Sequence, residues 1–312
     1  MHVIKPSNGE AVNLDEMSVS ELYELHYHEE SYVAKEALKF PAFSEKRALL
    51  LGSGYKFVTE LMKTRDTKEF GAPNTVFGAG LGSARALVKL VKKTLMKKDS
   101  VLLCEIGVGS GLALRTVLNE VNSPKLDIVG CDIHIGSQVR ESLAGVKLND
   151  MAAYDFIRTL PDSSIDILFS DNVFEHFCPD EARAIYNELV KKLKPDALLL
   201  VIIPNSHIGP FDISRKFLPM GAKSTGFHYM EMTFNEVTEL FGEYGIEQQC
   251  CVLYIPKFQK FILIKNRFLV KLKLRLEGFF AKIPFNILKF IAFYCGGYHI
   301  SVLRKVTKEG LL

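Results

Sequence analysis

VLLCEIGVGSG, residues 101–111, joins a continuous apolar run to a bend rich in glycine. Val101–Ile106 has the length and β-branched character of a parallel strand covered on both faces. Gly107, Gly109 and Gly111 then let the backbone turn sharply and approach a ligand without interference from a Cβ atom. ALRTVLNEV follows as a helix, so its first amides point into the same crevice. A strand, a glycine bend and a helix in this order form a cradle for a nucleotide-type ligand.

The spacing bears on which ligand that is. Leu112 stands where a dinucleotide fingerprint G-x-G-x-x-G has its third glycine, and Glu105 lies two residues ahead of Gly107. An anion at Glu105 repels a pyrophosphate and favours a cationic or zwitterionic ligand. LDIVGCD, residues 126–132, reads as the next strand and ends in Asp132, placed to accept hydrogen bonds from ribose hydroxyls. Ile133 follows it as a further cofactor contact. With Glu105 at its head, the loop resembles the first motif of class I S-adenosylmethionine-dependent methyltransferases.

YDFIRTLPDSSIDILFSDNVFEHF, residues 154–177, is similar to that family's stretch from the third strand to just past the fourth. The resemblance implies Asp155 for the adenine amino group and Phe156 against the ring. It places Ile165–Ser170 as strand four and Asp171 in the cofactor segment after it. Leu193-Lys194-Pro195 matches the usual helix ending before strand five, Ala197–Ile203. Asp196-Ala197 stands where the family has Gly-Gly. The implied fold is α/β, a doubly wound Rossmann-like sheet of seven strands, with a helical N-terminal cap and a helical C-terminal insertion. The expected division is a cap over 1–98, an S-adenosylmethionine-binding core over 99–256, and a basic amphipathic helical insertion plus final strand over 257–312.

Composition bounds the rest. An apolar content of 48% over 312 residues is enough for a full core. Cys104, Cys131, Cys178, Cys250, Cys251 and Cys295 form no C-x-x-C pair, so they read as reduced thiols in a cytoplasmic protein. The first seventeen residues hold no apolar leader, and no long uninterrupted apolar run predicts a membrane span. Eleven Lys and Arg residues oppose Glu277 alone between Lys257 and Lys305, although the whole chain carries only +3. This segment, with its interleaved Phe, Leu and Ile, suits a lid with peripheral membrane contact through 257–295, on the inner face of the membrane. Nucleic acid is disfavoured, because no RNA or DNA module is recognisable.

Met17–Tyr32 and Pro41–Thr64 read as helices, the second interrupted near Gly52-Ser53-Gly54, with Ser18 as a cap. Gly78-Ala79-Gly80-Leu81-Gly82 repeats the glycine spacing, but no strand precedes it, so a loop and helix start are expected rather than a second cradle. Residues 205–232 form a long loop suited to substrate. Its GPFDISRKFLP and GFHYMEMT stretches resemble a methyltransferase subgroup associated with surface-polysaccharide synthesis.

The resemblance implies methyl transfer from S-adenosylmethionine, with a glycan, lipid-linked sugar or small molecule as acceptor and oxygen as acceptor atom. His176, just after strand four, and His228, in the long loop, are the candidate catalytic residues for withdrawing the acceptor's proton. No metal is expected, because strand five ends Pro204-Asn205-Ser206 without the acid pair of metal-dependent relatives. Two other readings are an NAD(P)-dependent oxidoreductase and a non-catalytic membrane-docking adapter on the same fold.

Overall fold

The computed structural model describes residues 2–71, 80–255, 260–264, 268–272, 275 and 298–306. The chain forms two units: residues 1–76, 175–181 and 209–231 in one, and residues 77–174, 182–208 and 232–312 in the other.

The larger unit is built on one sheet. Its strands are β3 (Val101–Ile106), β4 (Leu126–Asp132), β5 (Lys147–Asp150), β6 (Ile165–Asp171), β7 (Leu193–Pro204), β8 (Ile246–Ile255), β9 (Lys260–Ile264) and β10 (Tyr298–Lys305). They lie in the order β5-β4-β3-β6-β7-β10-β8-β9. The first five are mutually parallel. β10 runs antiparallel between β7 and β8. The order reverses between β3 and β4 on one side and β6 on the other, which is where open α/β sheets hold ligands, at the carboxyl ends of the strands. The sheet thus has the expected seven strands and an eighth, β9, antiparallel on the edge of β8. The sequence predicts helix from residue 257, but KFILI, residues 260–264, has strand-type apolar content and an open sheet edge to pair with. Residues 268–272 are helical, and most of the basic segment 257–295 lies outside the described residues.

Strand burial explains the near-continuous apolar runs, and all seven residues of β6 are buried. The buried carboxylate Asp166 within it is held by Lys98 at 2.6 Å, Lys194 at 2.7 Å and the Leu102 amide at 2.9 Å. These cations offset its burial and hold its carboxyl below the usual range. α3 (Leu81–Leu95) packs Ala84, Leu87, Val88 and Val91 into the same core as Leu103, Phe169 and Leu200. The i, i+3, i+4, i+7 spacing makes one apolar stripe, so α3 belongs to the sheet unit and not to a cap ending at residue 98. At the start of β7, Asp196 takes a left-handed φ of 64° in place of the family's glycine, and its carboxylate meets Arg304 Nη2 at 2.6 Å.

The smaller unit contains a short hairpin, β1 (Val3–Ile4) and β2 (Val12–Asn13), and two long helices, α1 (Val19–Ala37) and α2 (Glu45–Phe70). Ser18 caps α1 in a reciprocal capping box with Glu21. α2 is continuous through Gly52-Ser53-Gly54, against the expected interruption. Gly54 is there for proximity: a Cβ on it would stand 2.8 Å from Val33 Cγ1 of α1 and 3.2 Å from Phe227 Cζ. Arg47, 2% exposed, ties α2 to residues 180–181, donating from Nη1 to Asp180 and Glu181 at 2.8 and 2.9 Å.

Candidate functional site

In the sheet unit the glycine bend follows β3 as expected. Gly107, Gly109 and Gly111 have φ values of 82°, 51° and 71°, a region costly for any residue with a Cβ. At Gly107 there is also no room, since a Cβ there would lie 2.1 Å from Val173 Cγ2. The segment after β6 therefore packs directly on the bend. α4 (Leu112–Glu120) starts immediately after Gly111 and directs its first amides toward the carboxyl end of the sheet.

Three carboxyl groups gather beneath this bend. Glu105 is 1% exposed, and its Oε2 has no hydrogen-bond partner among the described residues. Burial, reinforced by Asp171 and Asp132, pushes its carboxyl well above the usual range. Asp171 is raised to about 6 by burial, against a 2.6 Å hydrogen bond from Ser83 Oγ. Asn172 Nδ2 donates to the other oxygen of Asp171 at 2.9 Å. Asp132 accepts from the Gly109 amide at 2.8 Å and the His134 amide at 3.2 Å, with lone pairs remaining for hydroxyl donors. Beside it Ile133 is 62% exposed, an apolar surface available to a flat ring.

A buried carboxyl with an unsatisfied oxygen is costly unless something compensates it. A cationic or zwitterionic ligand does so, and a diphosphate does not. The donor set therefore suits a cationic or zwitterionic ligand with hydroxyl donors, such as S-adenosylmethionine, rather than a diphosphate.

Two expected contacts fall elsewhere. α5 (Ala153–Thr159) begins before Asp155 and Phe156, so they sit on different faces of a helical turn. Phe156 is 1% exposed and packed in the interior, and Asp155 faces solvent. The acid that ends β5 is Asp150, paired in register with Asp132 and accepting from the Ile135 amide at 2.8 Å. Sequence reading also missed Ser83. It directly follows the second glycine-rich stretch, in the first turn of α3, and bonds Asp171 from there.

The two candidate catalytic histidines are in the smaller unit, and there they meet. His176 ends a 3-10 turn, Phe174–His176. Its Nδ1 lies 3.2 Å from the Phe227 carbonyl oxygen, an acceptor only, which assigns the ring hydrogen to Nδ1. The Tyr55 hydroxyl is 3.1 Å from the same nitrogen. Burial, with His228 adding to it, lowers His176 to about 3, so the ring is neutral. The His228 ring is edge-on to His176, centroids 4.7 Å apart. His228 is raised despite burial, because Glu231 Oε1 bonds its Nδ1 at 2.8 Å and Glu175 and Asp212 add negative charge. Glu30, on α1, accepts from the Phe227 amide at 3.3 Å and so steadies the peptide that holds His176. Glu231 belongs to the long loop expected to meet substrate, whereas Glu175, Tyr55 and Phe227 carry no signal in the sequence, since no spacing links them.

Comparison with known proteins agrees with the sheet unit. Residues 104–199 match the family described as methyltransferase domain. The chicken (Gallus gallus) tRNA N(3)-cytidine methyltransferase METTL2 is 22% identical over 166 residues, 48% of this chain and 44% of that protein. The chain thus matches less than half the length of that curated relative. Among solved structures, Burkholderia thailandensis 1,6-didemethyltoxoflavin-N1-methyltransferase with bound S-adenosylhomocysteine superposes with TM-score 0.51 at 12% identity, covering 86% of this chain and 93% of that one. CurJ carbon methyltransferase gives 0.50 at 11% identity, covering 98% and 76%. Residues 104–199 are accordingly similar to a methyltransferase domain, and the sheet has the Rossmann-like fold of the methyltransferase structures that superpose on it.

Proposed function

We propose that the protein transfers a methyl group from S-adenosylmethionine to an oxygen of a glycan, a lipid-linked sugar or a small molecule. The observation that carries this reading is the buried Glu105 carboxyl, one oxygen unsatisfied, under a bend of three left-handed glycines. S-adenosylmethionine, when bound, supplies a carbon already activated for in-line displacement. What remains for the chain is to bind, orient and manage charge and protons. Asp132 accepts from the ribose, and Ile133 lies against the base. Glu105 and Asp171 sit under the positive end, in a site where desolvation strengthens their effect.

On the acceptor side, His176 and His228 promote loss of the hydroxyl proton. Support comes from the hydrogen bond of His176 Nδ1 to the Phe227 carbonyl, which leaves Nε2 as an acceptor. The likeness of residues 209–219 and 226–233 to the polysaccharide-associated subgroup supports the acceptor class. The basic segment 257–295, interleaved with apolar residues, suits peripheral contact with an anionic membrane bearing a lipid-linked acceptor. No helix among the described residues is long and apolar enough to cross one.

The test has two stages. Calorimetry of the full chain with S-adenosylmethionine, S-adenosylhomocysteine and NAD is expected to show micromolar binding of the first two and none of the third. NAD binding alone would replace this reading with the oxidoreductase one. Methyl-labelled cofactor added to a host extract should then mark a saccharide or lipid fraction, and label confined to RNA would overturn the acceptor class.

A further inference from the structure

The pair of histidines has a third neighbour of the same chemical kind. Glu175, His176 and His228 each bring one ligand-type atom to within 4.8 Å of the other two. All three belong to the smaller unit. Residues 175 and 228 are far apart in sequence, and a backbone bond from the Met230 amide to the Glu175 carbonyl at 2.9 Å fixes the two segments side by side.

The way the rings are held is informative. The Nδ1 of His176 is bonded to a backbone carbonyl at 3.2 Å, and the Nδ1 of His228 to the Glu231 carboxylate at 2.8 Å. A ligating histidine almost always has its second nitrogen held by one of these two partners, which fixes tautomer and ring angle. Here both rings carry such a brace, leaving Nε2 as the ligating nitrogen of each. Glu231 is itself anchored, accepting from the Phe211 amide at 2.5 Å. Glu175 adds a carboxylate that is 0% exposed.

We propose that Glu175, His176 and His228 hold one divalent transition-metal ion. Two imidazoles and one carboxylate suit Zn²⁺, and also Fe²⁺ or Mn²⁺. Tetrahedral bonds of about 2.0–2.1 Å hold donors roughly 3.3 Å apart, so the three side chains close on the ion by about an ångström. Three protein ligands leave a position for water or an acceptor hydroxyl, the arrangement of a reactive site and not of a closed structural one. The use of the ion rests on the methyl-transfer reading: a hydroxyl bound to it ionises more easily.

The experiment uses the full chain, stripped with a chelator and dialysed. Titration with Zn²⁺ by calorimetry, and with Co²⁺ by visible absorption, is expected to show one site of micromolar or tighter affinity. Glu175→Gln and His228→Ala should each weaken it at least 100-fold. The outer-shell change Glu231→Gln should weaken it about 10- to 100-fold. Each variant is compared at unchanged circular dichroism and unchanged S-adenosylhomocysteine affinity, which shows that the fold is intact. Uptake well below one equivalent by folded protein would overturn the proposal, as would binding indifferent to all three substitutions. Absent metal with S-adenosylhomocysteine binding retained sinks this inference alone. Metal uptake without S-adenosylhomocysteine binding sinks the methyl-transfer reading instead.

Discussion

Gly107→Ala tests the cofactor bend most directly, because two separate costs meet at that residue. The left-handed φ of 82° costs a residue with a Cβ roughly 1–2 kcal/mol. The new methyl would also stand 2.1 Å from Val173 Cγ2, and Val173 is β-branched, with little freedom to turn away. Overpacking of this kind costs about 1–3 kcal/mol. Together they predict a loss of about 3 kcal/mol, or a Tm lower by roughly 6–12 °C for a unit of this size. The same shift moves the bend and weakens S-adenosylmethionine binding. Val173→Ala removes the obstructing methyls, so the double variant should regain the packing part of the loss and keep the backbone part. A double-mutant cycle by urea unfolding measures that coupling. A single variant within 1 kcal/mol of the parent, or two changes that simply add, would refute the packing of residue 173 on the bend.

Three further outcomes are expected. The Asp171 carboxyl is raised to about 6, so the native state binds more protons than the unfolded chain between about pH 4 and 6, and stability falls as pH rises through that window. The difference in unfolding free energy between the parent and Asp171→Asn should therefore change by about 3 kcal/mol from pH 3.5 to 7, and a flat difference would show Asp171 to be unperturbed. Asp132→Ala removes a charged acceptor from the ribose position and should weaken S-adenosylmethionine by roughly 10- to 100-fold in calorimetry, with unaltered affinity assigning the ribose elsewhere. Arg47→Met strands the half-exposed Asp180 and the partly buried Glu181 and leaves two backbone carbonyls without their donor, so about 2–3 kcal/mol should be lost. Hydrogen exchange over residues 175–181 should accelerate, and unchanged protection there would mean that Arg47 does not hold the segment.

The parallel strands were readable because burial on both faces leaves little choice but apolar residues, as in β6. The bend was readable because left-handed backbone selects glycine. Asp155 faces solvent and Phe156 the interior for a local reason: β5 is only four residues long, and the next helix starts at Ala153. Gly54 misled in the opposite direction, since close packing of two helices demands the same residue as a break. Ser83 was passed over because its role depends on a bond to Asp171, 88 residues away. The meeting of Glu175, His176 and His228 likewise has no local signature. It exists only once the 209–231 segment has folded back against α1.

The smaller unit is not a terminal appendage. It is stitched from three lengths of chain, and two of them are excursions that leave the sheet unit after β6 and after β7 and then return. A cut at residue 76 would therefore remove α1 and α2 but leave both excursions behind, stripped of Arg47, Glu30 and Tyr55. Domain shuffling at that boundary is closed to this architecture. Recombinant work on the smaller unit has to keep its three lengths of chain together.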